Sequence, residues 1–124
     1  MDTPTNKTAY GFIKSGDGHH VIASFYAVNK HYHFTASINP PVTPFDTWTT
    51  TLEYSSVAQL AGSYIVRGQL GVTTIELRFG DAARIVGDLK VHVLPTRSIS
   101  GEGIWSPLPQ NDKNKGLFIA DVRV

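Results

Sequence analysis

His20-Val21-Ile22-Ala23-Ser24-Phe25-Tyr26-Ala27-Val28-Asn29-Lys30-His31-Tyr32-His33-Phe34-Thr35-Ala36-Ser37-Ile38-Asn39 alternates apolar and polar side chains on either side of the pair Asn29-Lys30. A period of two is the signature of half-buried strands, because successive side chains of an extended chain point to opposite faces. A two-residue turn at Asn29-Lys30 predicts a hairpin that pairs Val28 with His31, Tyr26 with His33, Ser24 with Thr35 and Ile22 with Ser37. The intervening pairs are then Ala27 with Tyr32, Phe25 with Phe34, Ala23 with Ala36 and Val21 with Ile38, which makes one face wholly apolar. A one-residue slip would send the two apolar rows to opposite faces, so the agreement supports this register.

Working outward, Thr8 to Lys14 reads as a strand ended by the turn Ser15-Gly16-Asp17-Gly18. Beyond the hairpin, Pro40, Pro41 and Pro44 form a connection that cannot sit in a central strand. Asp46 to Tyr54 is the next strand, and Ser55 to Leu60 suits one helical turn. Gly62 to Gln69, a tight turn near Leu70-Gly71, and Val72 to Phe79 follow, the last with Thr73, Ile75, Leu77 and Phe79 on its core face. After the turn Gly80-Asp81-Ala82, the residues Leu89, Val91 and Val93 form a second apolar row that Pro95 stops. Ser98 to Trp105 is loosened by Gly101 and Gly103, which mark a bulge or a close backbone approach. A polar loop from Ser106 to Gly116 precedes a strand from Leu117 to Val124. The reading is all-β, with eight or nine strands and no room for crossover helices. An antiparallel up-and-down meander is the economical topology. A closed β-barrel is favoured over a two-sheet sandwich because closure removes exposed strand edges.

The 124 residues suit a single domain spanning 1–124, with residues 1–7 as a flexible lead-in. An apolar fraction of 41% supports a packed core without staples, and no cysteine is present to form disulfides, thiolate metal sites or a thiol nucleophile. The net charge of +1 is scattered along the chain, which argues against a nucleic-acid partner. The start, Met1-Asp2-Thr3-Pro4, lacks the basic and apolar runs of an export signal, so the expected location is cytoplasmic. The apolar runs are far short of the ~20 residues that a spanning helix needs.

Five histidines raise the question of a metal. His31 and His33 share a strand face with Tyr26, but two imidazoles fall short of the three protein ligands usual in catalytic zinc sites. His20 stands too far along the hairpin to join them. No metal or cofactor is therefore expected, and Gly16-Asp17-Gly18 and Gly101-Glu102-Gly103 match no phosphate-binding loop. Among the carboxylates, Glu102 would become a desolvated acid or base if its face, shared with Ser98, Ser100 and Ile104, turned inward. Glu102 and His33 are thus the catalytic candidates for an enzyme of isomerase, cyclase or hydrolase type. The aromatics point elsewhere: Trp48 and Tyr54 fall on one predicted face with Thr50 and Leu52, and such rings line ligand sites. The ligand-binding candidates are Tyr26, His31, His33, Trp48, Tyr54 and Trp105.

The segment Tyr32-His33-Phe34-Thr35-Ala36-Ser37-Ile38-Asn39-Pro40-Pro41, with Asp46 and the Thr-rich strand to Tyr54, resembles a family of small bacterial all-β proteins catalogued as a domain of unknown function. The resemblance implies a bacterial origin and an all-β fold, and no site residue. With no catalytic constellation in view, the expectation leans away from an enzyme and toward a non-catalytic binding or assembly module. Its ligand would be a small apolar molecule inside the barrel or a carbohydrate on an aromatic face. A barrel-type enzyme and a self-assembling, homo-oligomeric protein are the alternatives.

Overall fold

The computed structural model describes residues 7–80 and 83–107. The expected strand at 117–124, the polar loop beyond Pro107, Asp81, Ala82 and all of the lead-in but Lys7 lie outside these residues. Six strands are present among them: β1 (Lys7–Lys14), β2 (His20–Ala27), β3 (Lys30–Ile38), β4 (Thr47–Tyr54), β5 (Gly62–Phe79) and β6 (Ala83–Pro107). The expected helical turn is a short 3-10 segment, Val57–Gln59. It is set by a capping box: Ser56 Oγ accepts from the Ala58 amide at 3.2 Å, and Gln59 Oε1 accepts from the Ser56 amide at 3.3 Å. Among the described residues, no helix is long and apolar enough to cross a membrane.

The strand order is β3-β2-β1-β4-β6-β5, and a further pairing of β3 with β6 closes a five-strand barrel, β5 being the sixth strand. Every pairing is antiparallel. The simple meander expected from turn lengths is broken at β4, which joins β1 rather than β3. The proline-rich connection causes this by carrying the chain across one end of the barrel. It is tied down where the Ser15 and Phe45 amides donate to each other's carbonyls at 2.9 Å, so β4 enters along the unoccupied edge of β1.

The described count is six rather than eight or nine because two predicted breaks lie inside long strands and the predicted strand at 117–124 lies outside the described residues. Near Leu70-Gly71 the chain turns without leaving β5: Gly68 lies against the backbone of Glu76 and Leu77, which a straight strand would place about 26 Å away. Pro95 does not end β6. It sits where the pairing with β5 shifts, between Leu70↔Arg97 and Val72↔Val93, and there its missing N–H leaves no ladder bond unmade. A second shift, between Val72↔Val93 and Thr74↔Asp88, breaks the alternation on β6 and leaves Val91 exposed, while Leu89 and Val93 are buried. Thr73, also expected in the core, is exposed in the same irregular stretch.

The central hairpin has the predicted buried face in a register shifted by two residues. The pairs are Phe25↔Tyr32, Ala23↔Phe34 and Val21↔Ala36, and the turn residues are Val28-Asn29. Both have positive φ, 50° and 64°, as a type I′ turn demands. A shift of two keeps every side chain on its face, so Val21, Ala23, Phe25, Ala27, Tyr32, Phe34, Ala36 and Ile38 are all buried. It sets Ala23 by Phe34 and Phe25 by Tyr32, where the expected register stacks Phe25 on Phe34. Inside the barrel, Phe34 meets Phe79 at 4.7 Å and Trp105 at 5.0 Å between ring centroids, and Phe25 meets Trp105 at 6.2 Å. Inward-facing Ala9, Gly11, Ala36 and Gly103 make room for this cluster, the large and small alternation that a narrow barrel requires.

Candidate functional site

Side chains that miss the interior decorate two walls of contrasting chemistry. On the wall of β4, the first half of β6 and the last residues of β5, charges are paired. Arg84 contacts Glu53 and Glu76 at 3.2 Å each, and Arg78 contacts Glu76 at 2.9 Å. On the wall of β1, β2, β3 and the end of β6, apolar and aromatic groups stand in water: Tyr10, Phe12, Ile22, Tyr26 and Ile104 are all exposed. β1 explains part of this. Its inward positions are Ala9, Gly11 and Ile13, so its two aromatics, Tyr10 and Phe12, fall on the outside.

Pairing aligns these groups in rows across the wall. Tyr10 is opposite Tyr26, and Tyr26 is opposite His31. The Tyr26 and His31 rings lie 4.9 Å apart at 59°, and the Tyr26 hydroxyl donates to Asn29 Oδ1 at 3.4 Å. One row along, His33 Nε2 is 3.4 Å from Ser24 Oγ. Burial holds the His33 imidazole below its ordinary pKa, and the neighbouring His31 adds to the effect. The structure therefore gathers Tyr26, His31 and His33 on one face. Tyr10 belongs with them and is absent from the sequence-based candidates. Its signal is nonetheless in the sequence, since alternation through Ala9, Gly11 and Ile13 leaves Tyr10 and Phe12 on the other face.

Three candidates are placed elsewhere. Trp105 is 1% exposed at the centre of the interior cluster, and its Nε1 has no acceptor among the described residues. Tyr54 is buried, and desolvation, then the nearby Tyr32, raises its pKa. Neither can meet a ligand on the surface. Trp48 is not on the face of Tyr54. A bulge between Thr47↔Leu89 and Thr50↔Gly87 places two residues of β4 between inward positions, which turns Trp48 outward to 66% exposure. There Lys90 Nζ lies 4.8 Å from its ring centroid and 3.2 Å from Asp46 Oδ2. Burial alone would raise the Asp46 pKa, but the Thr47 amide and Lys90 outweigh it and lower it.

The inward orientation considered for Glu102 is not the one found. Gly103 and Trp105 face inward, so Glu102 and Ile104 face out, and the carboxylate is exposed rather than desolvated. It borders an open groove of about 680 Å³ that also meets His20, Ile22, Thr35, Ser37 and Ile65. A second open groove, of about 660 Å³, adjoins it through His20 and Ile22. His20 Nδ1 is 2.8 Å from Asp17 Oδ2, and that side-chain bond, with the His19 and His20 amides, holds the Asp17 carboxyl far below the usual range. Among the described residues no three His, Asp or Glu side chains gather as a metal site. Comparison with protein-family models, with curated proteins and with solved structures yields no match.

Proposed function

We propose that this protein is a non-catalytic binding module that recognises carbohydrate on its outer wall, on a platform of Tyr10, Tyr26 and His31. The observation that supports this reading is the exposed cross-strand pair Tyr10↔Tyr26, 62% and 50% exposed, extended by the ring of His31. A sugar ring offers an apolar C–H face to an aromatic surface and hydroxyls to polar groups at its rim. Asn29 and the half-buried His33 supply such groups beside the platform. A small apolar ligand inside the barrel is disfavoured, since Phe25, Phe34, Phe79 and Trp105 occupy that space.

Affinity electrophoresis through gels containing soluble glucan, mannan, xylan or galactan tests the reading. Wild-type protein is expected to be retarded by at least one of them, and Tyr26→Ala to lose about tenfold in affinity, on the order of one aromatic contact. Circular dichroism checks that the variant is folded. Equal mobility of wild type and Tyr26→Ala in every gel would sink the proposal.

A further inference from the structure

The wall beside the platform is chemically symmetric about β3. Reading across from β2 through β3 to β6, one row is His20, Ser37, Glu102, the next Ile22, Thr35, Ile104, and the third Ser24, His33, Ser106. The rows lie on the outer side of the strands, with Ser24 itself buried and Ile22 and Ile104 44% and 54% exposed. We infer that a second copy of this chain docks on this wall, with a twofold axis running parallel to β3.

Rotation about that axis exchanges the β2 side of one copy with the β6 side of the other and keeps each row in place. Ile22 then meets Ile104 of the second copy, and Ile104 meets its Ile22. In the adjoining row His20 meets Glu102, twice over. A twofold interface must be self-complementary in this way, each patch matching itself. Asp17 takes the Nδ1–H of His20, so the imidazolium form of the ring offers its Nε2–H across the interface to the exposed Glu102 carboxylate. Ser37 and Thr35, small and central, form the floor of the open groove between the isoleucine ridges. In the pair, ridge packs on ridge and the floor holds water, as is usual at polar interfaces. The Tyr26 row stands about 13 Å from the isoleucine row at strand spacing, at the margin of the contact. The inference does not depend on sugar recognition, and its test uses no carbohydrate.

Sedimentation velocity at tens of micromolar is expected to give twice the chain mass of 13.6 kDa. His20→Glu places two carboxylates against each other across the axis, and Glu102→Lys removes the acceptor and sets an ammonium against the imidazole, so each variant alone should sediment as a monomer. Mixed in equal amounts, they should dimerise again. The carboxylate introduced at position 20 of one chain then faces the ammonium introduced at position 102 of the other, and the native His20 and Glu102 meet on the opposite side. Circular dichroism confirms that each variant is folded. A third variant, Ile104→Lys, leaves the turn around His20 untouched and should also be monomeric. A monomeric wild type, variants that remain dimeric, or a mixture that stays monomeric would each overturn the inference.

Discussion

Val28 is the residue most at odds with its surroundings. It is β-branched and exposed, yet held at φ 50° by the hairpin turn, a conformation that costs an L-residue about 1–2 kcal/mol. Asn29 beside it tolerates the same region. Val28→Asn is expected to stabilise the fold by about 1 kcal/mol, read as a higher urea midpoint at unchanged slope. A lower midpoint would show that Val28 makes a contact worth more than the strain. The sequence places the turn one residue late because Asn-Lys looks like the better turn pair, whereas the chain turns at Val28-Asn29 with positive φ at both. His33 supplies the pH dependence at this scale. Its folded pKa lies below the ordinary 6.5 because it is partly buried. Between the two values the unfolded chain holds the extra proton, so His33 favours the native state fully above 6.5, and that contribution is lost as pH falls through the folded value. His33→Gln should therefore make the urea midpoint less sensitive to pH between about 7.5 and 5, and an equal slope in both proteins would count against this account.

At the scale of strands, glycines rather than hydrophobic residues decide where the sheet can curl. A Cβ on Gly11 would overlap the Ser24 carbonyl oxygen of β2, and one on Gly101 would overlap that of Ser37 on β3. Neither neighbour is a side chain that can swing aside. Gly11→Ala should destabilise by about 1–3 kcal/mol, and thermal unfolding within a degree or two of wild type would show that β1 relaxes more easily than its pairing suggests. The bulge in β4 has the same character. Thr47 Oγ donates to the Ile13 carbonyl at 2.8 Å and accepts from Thr50 Oγ at 2.9 Å, so both buried hydroxyls are satisfied, and Gly87 opposite leaves room for them. Strict alternation puts Trp48 with Tyr54, and one inserted residue separates them. Period two shows which residues form strands, but a bulge costs a single residue and leaves no local mark beyond an ordinary Thr-rich run. For the same reason the exposure of Val91 and Thr73 is not legible, while the capping box at Ser56 and Gln59 is close to readable from its spacing.

Over the whole molecule, the interior and the two walls divide the chemistry. The interior is filled by aromatic rings, the wall of β4 and β6 is laced by Arg84 and its carboxylates, and the wall of β1 to β3 is left apolar and aromatic. Part of the candidate site is legible, because Tyr26, His31 and His33 lie on two arms of one hairpin and share a face by periodicity alone. Trp105 and Tyr54 escape such reasoning because aromatics in strands serve cores and surfaces alike, and only the direction of the pleat tells which. The amino-acid sequence by itself determined the β class, the buried face of the central hairpin and the 3-10 turn, since each follows from spacing and backbone preference within a few residues. Tertiary structure alone decided the placement of β4 beside β1, the closure of β3 on β6, the continuity of β5 and β6 through their predicted breaks and the outward face of Glu102. Those outcomes depend on how strands far apart in the chain pack and on where single residues shift the pleat, and no short-range pattern carries that information.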